Sequence, residues 1–193
     1  MSRRQPLTRV SYHGARDCMH DTGVFTIGHG VRPLEELVET LAEAGAQTLV
    51  DVRRFPGSRR NPQFNQRPLR EAIEAAGITY RHAVELGGRR SAEPGEEQFA
   101  CIRVAAFRSY AARMAKEEWQ LALERELAQP GPCFMCAETW WMRCHRRLIA
   151  ELLVARGHEV THLIGPGRRD GHRLYHESEI RDGRLYLCGA LVA

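Results

Sequence analysis

The segment Cys144-His145-Arg146 combines a thiol, an imidazole and a guanidinium at the predicted start of a helix. The positive end of a helix dipole and nearby cations lower the pKa of a thiol, and the thiolate is the nucleophilic form of cysteine. Glu138 and His29 are candidates for the acid–base steps of such a reaction. The alternative for Cys144 is a buried structural thiol, a common fate of free cysteine. The segment predicts a site, and catalytic and structural interpretations of Cys144 both stay open.

A second cluster lies in the loop at residues 53–64, which is rich in arginine, glycine and small polar side chains. Lys116 is the only lysine among 28 basic residues, so nearly all the basic side chains are guanidiniums, whose planar fork pairs with phosphate or carboxylate. The alternative is a solvated basic loop. Trp141 would stack on a flat ligand or pack as a hydrophobic lid. The predicted ligand-binding residues are Gly28, Arg53, Ser58, Arg59, Asn61, Phe64, Arg146 and Trp141, with Arg60 in the same loop.

Asp51 ends an apolar segment, where it would act as a base, bind a sugar hydroxyl or a metal, or pair with Arg53 as a buried carboxylate. The candidate catalytic residues are therefore Cys144, His145, Glu138, Asp51 and His29. A zinc site is an alternative for three cysteines and a histidine, Cys133, Cys136, Cys144 and His145. Side chains alternate along a strand, so Cys133 and Cys136 would face opposite sides of a sheet, and we therefore predict no metal ligands. We also predict no cofactor.

Five short apolar segments are predicted to be the strands that position these residues. They lie near residues 24–27, 48–52, 78–81, 133–137 and 160–164. They alternate with helical patterns at 33–44, 68–76, 96–128 and 144–156, the third being one or two helices. This predicts an α/β fold, a mostly parallel five-stranded sheet with helices on both faces, Rossmann-like and doubly wound. Residues 1–22 are predicted to be an irregular N-terminal arm, residues 23–193 a single α/β domain, and residues 184–188 a possible edge strand.

The candidate residues follow the carboxyl ends of the predicted strands. Ligands of open α/β sheets bind outside those ends, so we expect one pocket that gathers the residues from distant parts of the chain.

Composition places weaker limits on the partners and the location of the protein. The net charge of +4 is too small to establish a nucleic-acid partner, and an anionic small molecule or a nucleic acid stays open as the ligand. No apolar run approaches the roughly 20 residues of a membrane span, and the basic N-terminus lacks a following apolar stretch, so we expect a cytoplasmic protein with no membrane partner. In that compartment we expect the six cysteines to be thiols, metal ligands or nucleophiles rather than a disulfide framework. The oligomeric state does not follow from the sequence.

Several motifs, specific only in combination, resemble the bacterial family called domain of unknown function 488 (DUF488) over residues 24 to about 165. The motifs are Thr26-Ile27-Gly28-His29, Leu49-Val50-Asp51-Val52-Arg53, Pro56, Ser58-Arg59, Phe64, Gly77-Ile78-Thr79-Tyr80, Leu86-Gly87-Gly88, Cys136-Ala137-Glu138 and Cys144-His145-Arg146. Gly30 departs from the family pattern, which usually has serine there, so a hydroxyl for a ligand is missing at this position. The resemblance implies a compact α/β fold and no particular reaction.

Three hypotheses follow. The first is an enzyme with an Arg-, His- and Cys-lined anion pocket that acts on a phosphate-bearing small molecule, a nucleotide or a nucleic-acid end. The second is a non-catalytic module that binds nucleotide or nucleic acid. The third is a small zinc-binding protein.

Overall fold

The structure is a computed structural model that describes residues 23–88 and 92–193; the arm predicted at residues 1–22 lies outside these ranges. Within them, strands and helices alternate as predicted. The main strands are β1 (Val24–Gly28), β2 (Thr48–Asp51), β3 (Thr79–His82), β4 (Pro132–Cys136), β5 (Val160–Gly165) and β6 (Arg168–Gly171). The α-helices are α1 (Leu34–Ala44), α2 (Gln66–Ala75), α3 (Ala105–Met114), α4 (Glu117–Leu127) and α5 (Arg146–Ala155).

In the described ranges these strands form a six-stranded sheet in the order β3-β2-β4-β1-β5-β6. The first five are mutually parallel, and β6 adds an antiparallel edge. The α/β fold class with five parallel strands is thus confirmed, and β6 is an addition that the sequence did not predict. Its residues are mostly exposed, so β6 lacks the apolar pattern that marks the other strands.

Each face of the sheet carries its own hydrophobic core. Leu37 and Leu41 of α1 and Leu69 and Ile73 of α2 pack with alternate strand residues on one face. The apolar sides of α3, α4 and α5 pack on the other face. Right-handed crossovers require this arrangement, because the chain moves toward β3 through α1 and α2 and returns through α3, α4 and α5.

A second sheet covers part of α5. Its antiparallel strands are β7 (Ser178–Arg181), β8 (Arg184–Leu187) and β9 (Ala190–Leu191). The strand predicted at residues 184–188 is confirmed as β8. Its predicted place at an edge is wrong, because β8 lies between β7 and β9 in the second sheet of the described chain. Leu185 and Leu187 alternate toward the core, and that burial against α5 replaces pairing with the main sheet.

The expectation that the cysteines are not joined in disulfides is wrong for one pair. Cys101 and Cys188 form a disulfide that joins the turn before α3 to the turn between β8 and β9. The partners are 87 residues apart, and only the tertiary fold brings them together. Cys133, Cys136 and Cys144 are free and buried.

Residues 96–128 form two α-helices preceded by a short 3₁₀ turn, although the segment contains no proline or glycine to separate them. No helix in the described part of the chain is both long and apolar enough to cross a bilayer.

Candidate functional site

A pocket of about 660 Å³ lies at the carboxyl ends of β1, β2 and β4. The helix after β4 lies on one face of the sheet and the helices after β1 and β2 lie on the other, so the loops diverge here. Such a switch in strand order is where open α/β sheets bind ligands. The pocket wall also includes residues of α3, which packs on the same face of the sheet as α5.

Cys144 lines the pocket and is only 3% exposed. Burial alone would raise the pKa of this thiol, but the hydrogen bond from Cys136, the contact with His145 and the charge of Arg146 outweigh burial and hold the pKa well below its ordinary value. The backbone N–H of Arg146 also points at the Cys144 Sγ, at 3.5 Å. The local fold therefore stabilises a thiolate.

His145 lies beside this sulfur, with its Nδ1 3.6 Å from the Cys144 Sγ. The ring packs against Tyr110 of α3, with centroids 5.0 Å apart, and against Gly88. Its Nε2 is buried and has no hydrogen-bond partner among the described residues. An imidazole that contacts a thiolate and keeps one nitrogen unpaired can transfer a proton to or from a bound molecule.

Arg146 is buried next to the pocket, where its guanidinium donates hydrogen bonds to three surrounding residues. Its Nε donates to the Cys136 Sγ at 3.0 Å, and its Nη1 donates to the Thr26 Oγ1 at 3.2 Å. Its Nη2 donates to the backbone oxygen of Glu138 at 2.5 Å. The side chain is 1% exposed, so it acts on the site through its charge and through the loop it holds.

A second buried network lies on the opposite face of the sheet. Arg53 donates to both carboxylate oxygens of Asp51, at 2.8 and 2.6 Å, and Tyr80 donates to the same carboxylate. The Arg53 Nη1 also donates to the His29 Nε2 at 3.2 Å, and the His29 Nδ1 contacts the Gly30 oxygen at 2.9 Å. Burial and the charge of Arg53 lower the pKa of His29 to about 4. His29 is therefore neutral at pH 7, with Nε2 engaged as an acceptor.

Two glycines let the loop after β4 cross over the end of β1. A Cβ at Gly28 would overlap the backbone carbonyl of Glu138, and a Cβ at Gly30 would overlap the Thr139 hydroxyl. Gly30 also has a φ of 55°, which disfavours other residues. Thr139 thus places its hydroxyl beside Gly30, and it lines the pocket.

Further cationic and aromatic groups complete the wall. Arg60 and Arg143 are exposed, Arg54 is half-buried, and Phe55 is 66% exposed. The loop that carries the first of these is braced by its own side chains, because the Asn61 N–H donates to the Ser58 Oγ and the Ser58 N–H donates to the Asn65 side chain. A braced loop with exposed guanidiniums can hold an anion.

The predicted residues separate into three groups. Seven line the pocket together: His29, Arg53, Ser58, Asn61, Glu138, Cys144 and His145. Four are buried beneath or beside it: Gly28, Asp51, Phe64 and Arg146. Two lie outside the pocket wall: Arg59, which is exposed, and Trp141, which stacks on His162 with centroids 4.1 Å apart and donates to Asp170.

The site also contains residues that the sequence did not single out, namely Arg54, Tyr110, Thr139 and Arg143. Position next to Cys144 was the only signal for Arg143, and nothing in the sequence linked Tyr110 of α3 to a strand end.

The zinc hypothesis fails on geometry. Cys133 packs with α1 and α2, whereas Cys136 packs with α5 on the opposite face. Residues 23–88 and 92–193 contain no group of three His, Cys, Asp or Glu side chains arranged to hold a metal ion. The proposed ligands cannot meet at one ion, as strand alternation predicts.

Comparison with known proteins gives one match. The sequence model of the family described as Domain of unknown function DUF488 matches residues 33–153, which is more than half of the chain. No curated protein and no solved structure matches the chain. The matched range contains the loop after β2, both pocket cysteines and His145, so the chain belongs to the DUF488 family.

Proposed function

We propose that this protein is an enzyme whose Cys144 thiolate attacks an anionic substrate, namely a phosphate-bearing small molecule, a nucleotide or a nucleic-acid end. The observation that carries the proposal is the placement of Cys144. Cys144 lines a pocket that is also lined by Arg60 and Arg143, and the groups around its sulfur favour the thiolate.

The roles follow from the contacts. Cys144 is the nucleophile, and His145 carries a proton between the substrate and the solvent through its unpaired Nε2. Glu138 lines the same pocket and is the second candidate for proton transfer. Arg60 and Arg143 hold the anion, and Arg146 supports the thiolate from below.

Alkylation of Cys144 tests both halves of the proposal. Iodoacetate is an anion and iodoacetamide is its neutral analogue, so the ratio of their rates at Cys144 reports attraction of negative charge. We expect this ratio to exceed that of a free thiol and to fall as salt rises, because exposed charges are screened. We also expect inorganic phosphate to protect Cys144 from both reagents.

Two neighbouring arginines supply a matched pair of variants. Arg60 lines the pocket, whereas Arg59 of the same loop does not. R60A should lower the iodoacetate preference, and R59A should leave it near that of the wild type. Equal effects of the two variants would refute the assigned anion site, and ordinary thiol reactivity of Cys144 at pH 7 would refute the nucleophile.

The alternative is a non-catalytic binding module for nucleotide or nucleic acid. Exposed Phe55 at the pocket favours it, because bases stack on aromatic rings. In that case C144S would bind an oligonucleotide with unchanged salt dependence, while the Cys144 thiol would titrate near its ordinary pKa. The cytoplasmic location inferred from the sequence stays a prediction.

A further inference from the structure

Two free cysteines line the same pocket. Cys136 ends β4 and Cys144 precedes α5. The Cys136 side chain also helps to hold the pKa of Cys144 below its ordinary value, as expected of neighbouring groups. Arg146 contacts both, through its Nε to Cys136 at 3.0 Å and through its backbone N–H to Cys144 at 3.5 Å. One residue thus contacts both sulfurs, one through its guanidinium and the other through its backbone.

We propose that Cys136 and Cys144 are a redox pair, in which a hydroperoxide oxidises Cys144 and Cys136 then closes a reversible disulfide across the pocket floor. The inference goes beyond the proposed function. It needs a small peroxide and an accessible Cys144 sulfur, and it needs no anionic substrate.

The first step is attack of the Cys144 thiolate on a peroxide oxygen. An S–O bond forms, the O–O bond breaks, and hydroxide or alkoxide leaves with the electron pair and takes a proton from water or His145. Cys144 is oxidised to a sulfenic acid, and the peroxide is reduced.

In the second step the Cys136 sulfur attacks the Cys144 sulfur. An S–S bond forms, the S–O bond breaks, and the hydroxyl leaves as water with the proton from the Cys136 thiol. Burial holds the pKa of Cys136 well above its ordinary value in the resting state, so Cys144 is the thiol that reacts first. The Arg146 Nε, at 3.0 Å, stabilises negative charge on the Cys136 sulfur as its proton departs.

The other cysteines are excluded by position. Cys133 lies three residues from Cys136 but faces the core formed with α1 and α2. Cys101 and Cys188 are joined to one another. In the described chain, Cys136 is therefore the thiol placed to react with an oxidised Cys144.

Peptide mapping tests the pair directly. Cleavage after arginine places Cys144 in peptide 144–146 and Cys133 and Cys136 together in peptide 126–143. The full-length protein is treated with hydrogen peroxide, free thiols are blocked with iodoacetamide, and the digest is analysed without reductant. We expect the two peptides to be linked until dithiothreitol is added, and we expect the intact protein to lose about 2 Da when it is weighed before the iodoacetamide step.

Two variants assign the partner. C133A should still form the linked peptides, whereas C136A should lack them and accumulate a Cys144 sulfenic acid that dimedone traps. The proposal is overturned if the oxidised wild type contains no linked peptides, a measurement that needs no variant. It is also overturned if C136A still forms them. Neither result bears on nucleophilic attack by Cys144, which the alkylation experiment tests separately.

Discussion

Gly88 offers the smallest change that moves His145 without altering any ionisable group. A Cβ added at Gly88 would lie 2.9 Å from the His145 Nδ1 and 3.2 Å from its Cγ, and all the close atoms belong to the imidazole. The ring must therefore withdraw by about 0.5 Å or turn to restore ordinary contact. Either movement disrupts the 3.6 Å contact between Nδ1 and the Cys144 Sγ.

The size of the effect follows from that contact. A hydrogen bond contributes about 0.5–1.5 kcal/mol, and one pKa unit corresponds to about 1.4 kcal/mol. Gly88→Ala should therefore raise the pKa of Cys144 by roughly 0.4–1 unit. Below that pKa the thiolate fraction, and with it the alkylation rate, should fall about 2.5- to 10-fold.

The assay is the rate of iodoacetamide labelling of peptide 144–146 as a function of pH, followed by mass spectrometry. Gly57→Ala is the matched control, because Gly57 lines the same pocket but an added Cβ meets no atom within 4 Å. A wild-type pH profile in Gly88→Ala would refute the claim that His145 supports the thiolate. An equal shift in Gly57→Ala would show that any added methyl group perturbs the pocket.

Three predictions concern stability, each measured by urea denaturation. Gly30→Ala should lower the free energy of unfolding by about 2–4 kcal/mol, because Gly30 has a positive φ and an added Cβ would overlap Thr139. Adding Thr139→Ala should restore about 1–2 kcal/mol, and strictly additive effects of the two substitutions would contradict the overlap. Reduction of the Cys101–Cys188 disulfide should cost about 2–4 kcal/mol, and an unchanged midpoint under dithiothreitol would contradict it. Burial lowers the pKa of three histidines to about 4, 3 and 4, below the ordinary 6.5, so the unfolded chain binds more protons between pH 6.5 and 4. The free energy of unfolding should therefore fall as pH falls through that window, by up to about 1.4 kcal/mol per pH unit for each histidine, and a flat profile would contradict their burial in the neutral form. The three histidines are His29, His162 and His172.

The fold was largely predictable because its signals are local. Leu37 and Leu41 mark the buried stripe of α1, and Gly45 ends that helix with a φ of 72°. The strands β6 and β7 escaped prediction because they are short and their side chains are mostly exposed, so backbone pairing with a neighbour defines them. The same limit applies to β8, whose apolar alternation shows a strand but not which sheet it joins.

The location of the candidate site was predictable from the sequence, whereas the contacts within it were less so. The rule of strand ends brought His29, Arg53 and Cys144 to one pocket. It does not say which residue of a loop faces inward, so Arg59 was chosen for the ligand set and Arg60 lines the pocket. Nor does it reveal that Trp141 is 5% exposed and stacked on a histidine from β5.

The arginines around the site divide by what their N–H groups contact. Arg53 and Arg146 donate to protein acceptors and are almost fully buried, so each stabilises the fold and sets the field at the pocket. Removing either would leave buried partners without compensation, and the loss would fall on stability. Arg60 and Arg143 are exposed on the pocket wall, and the proposed function assigns a bound anion as their partner. Salt should therefore weaken the attraction of anions while leaving the buried support of the Cys144 thiolate nearly intact.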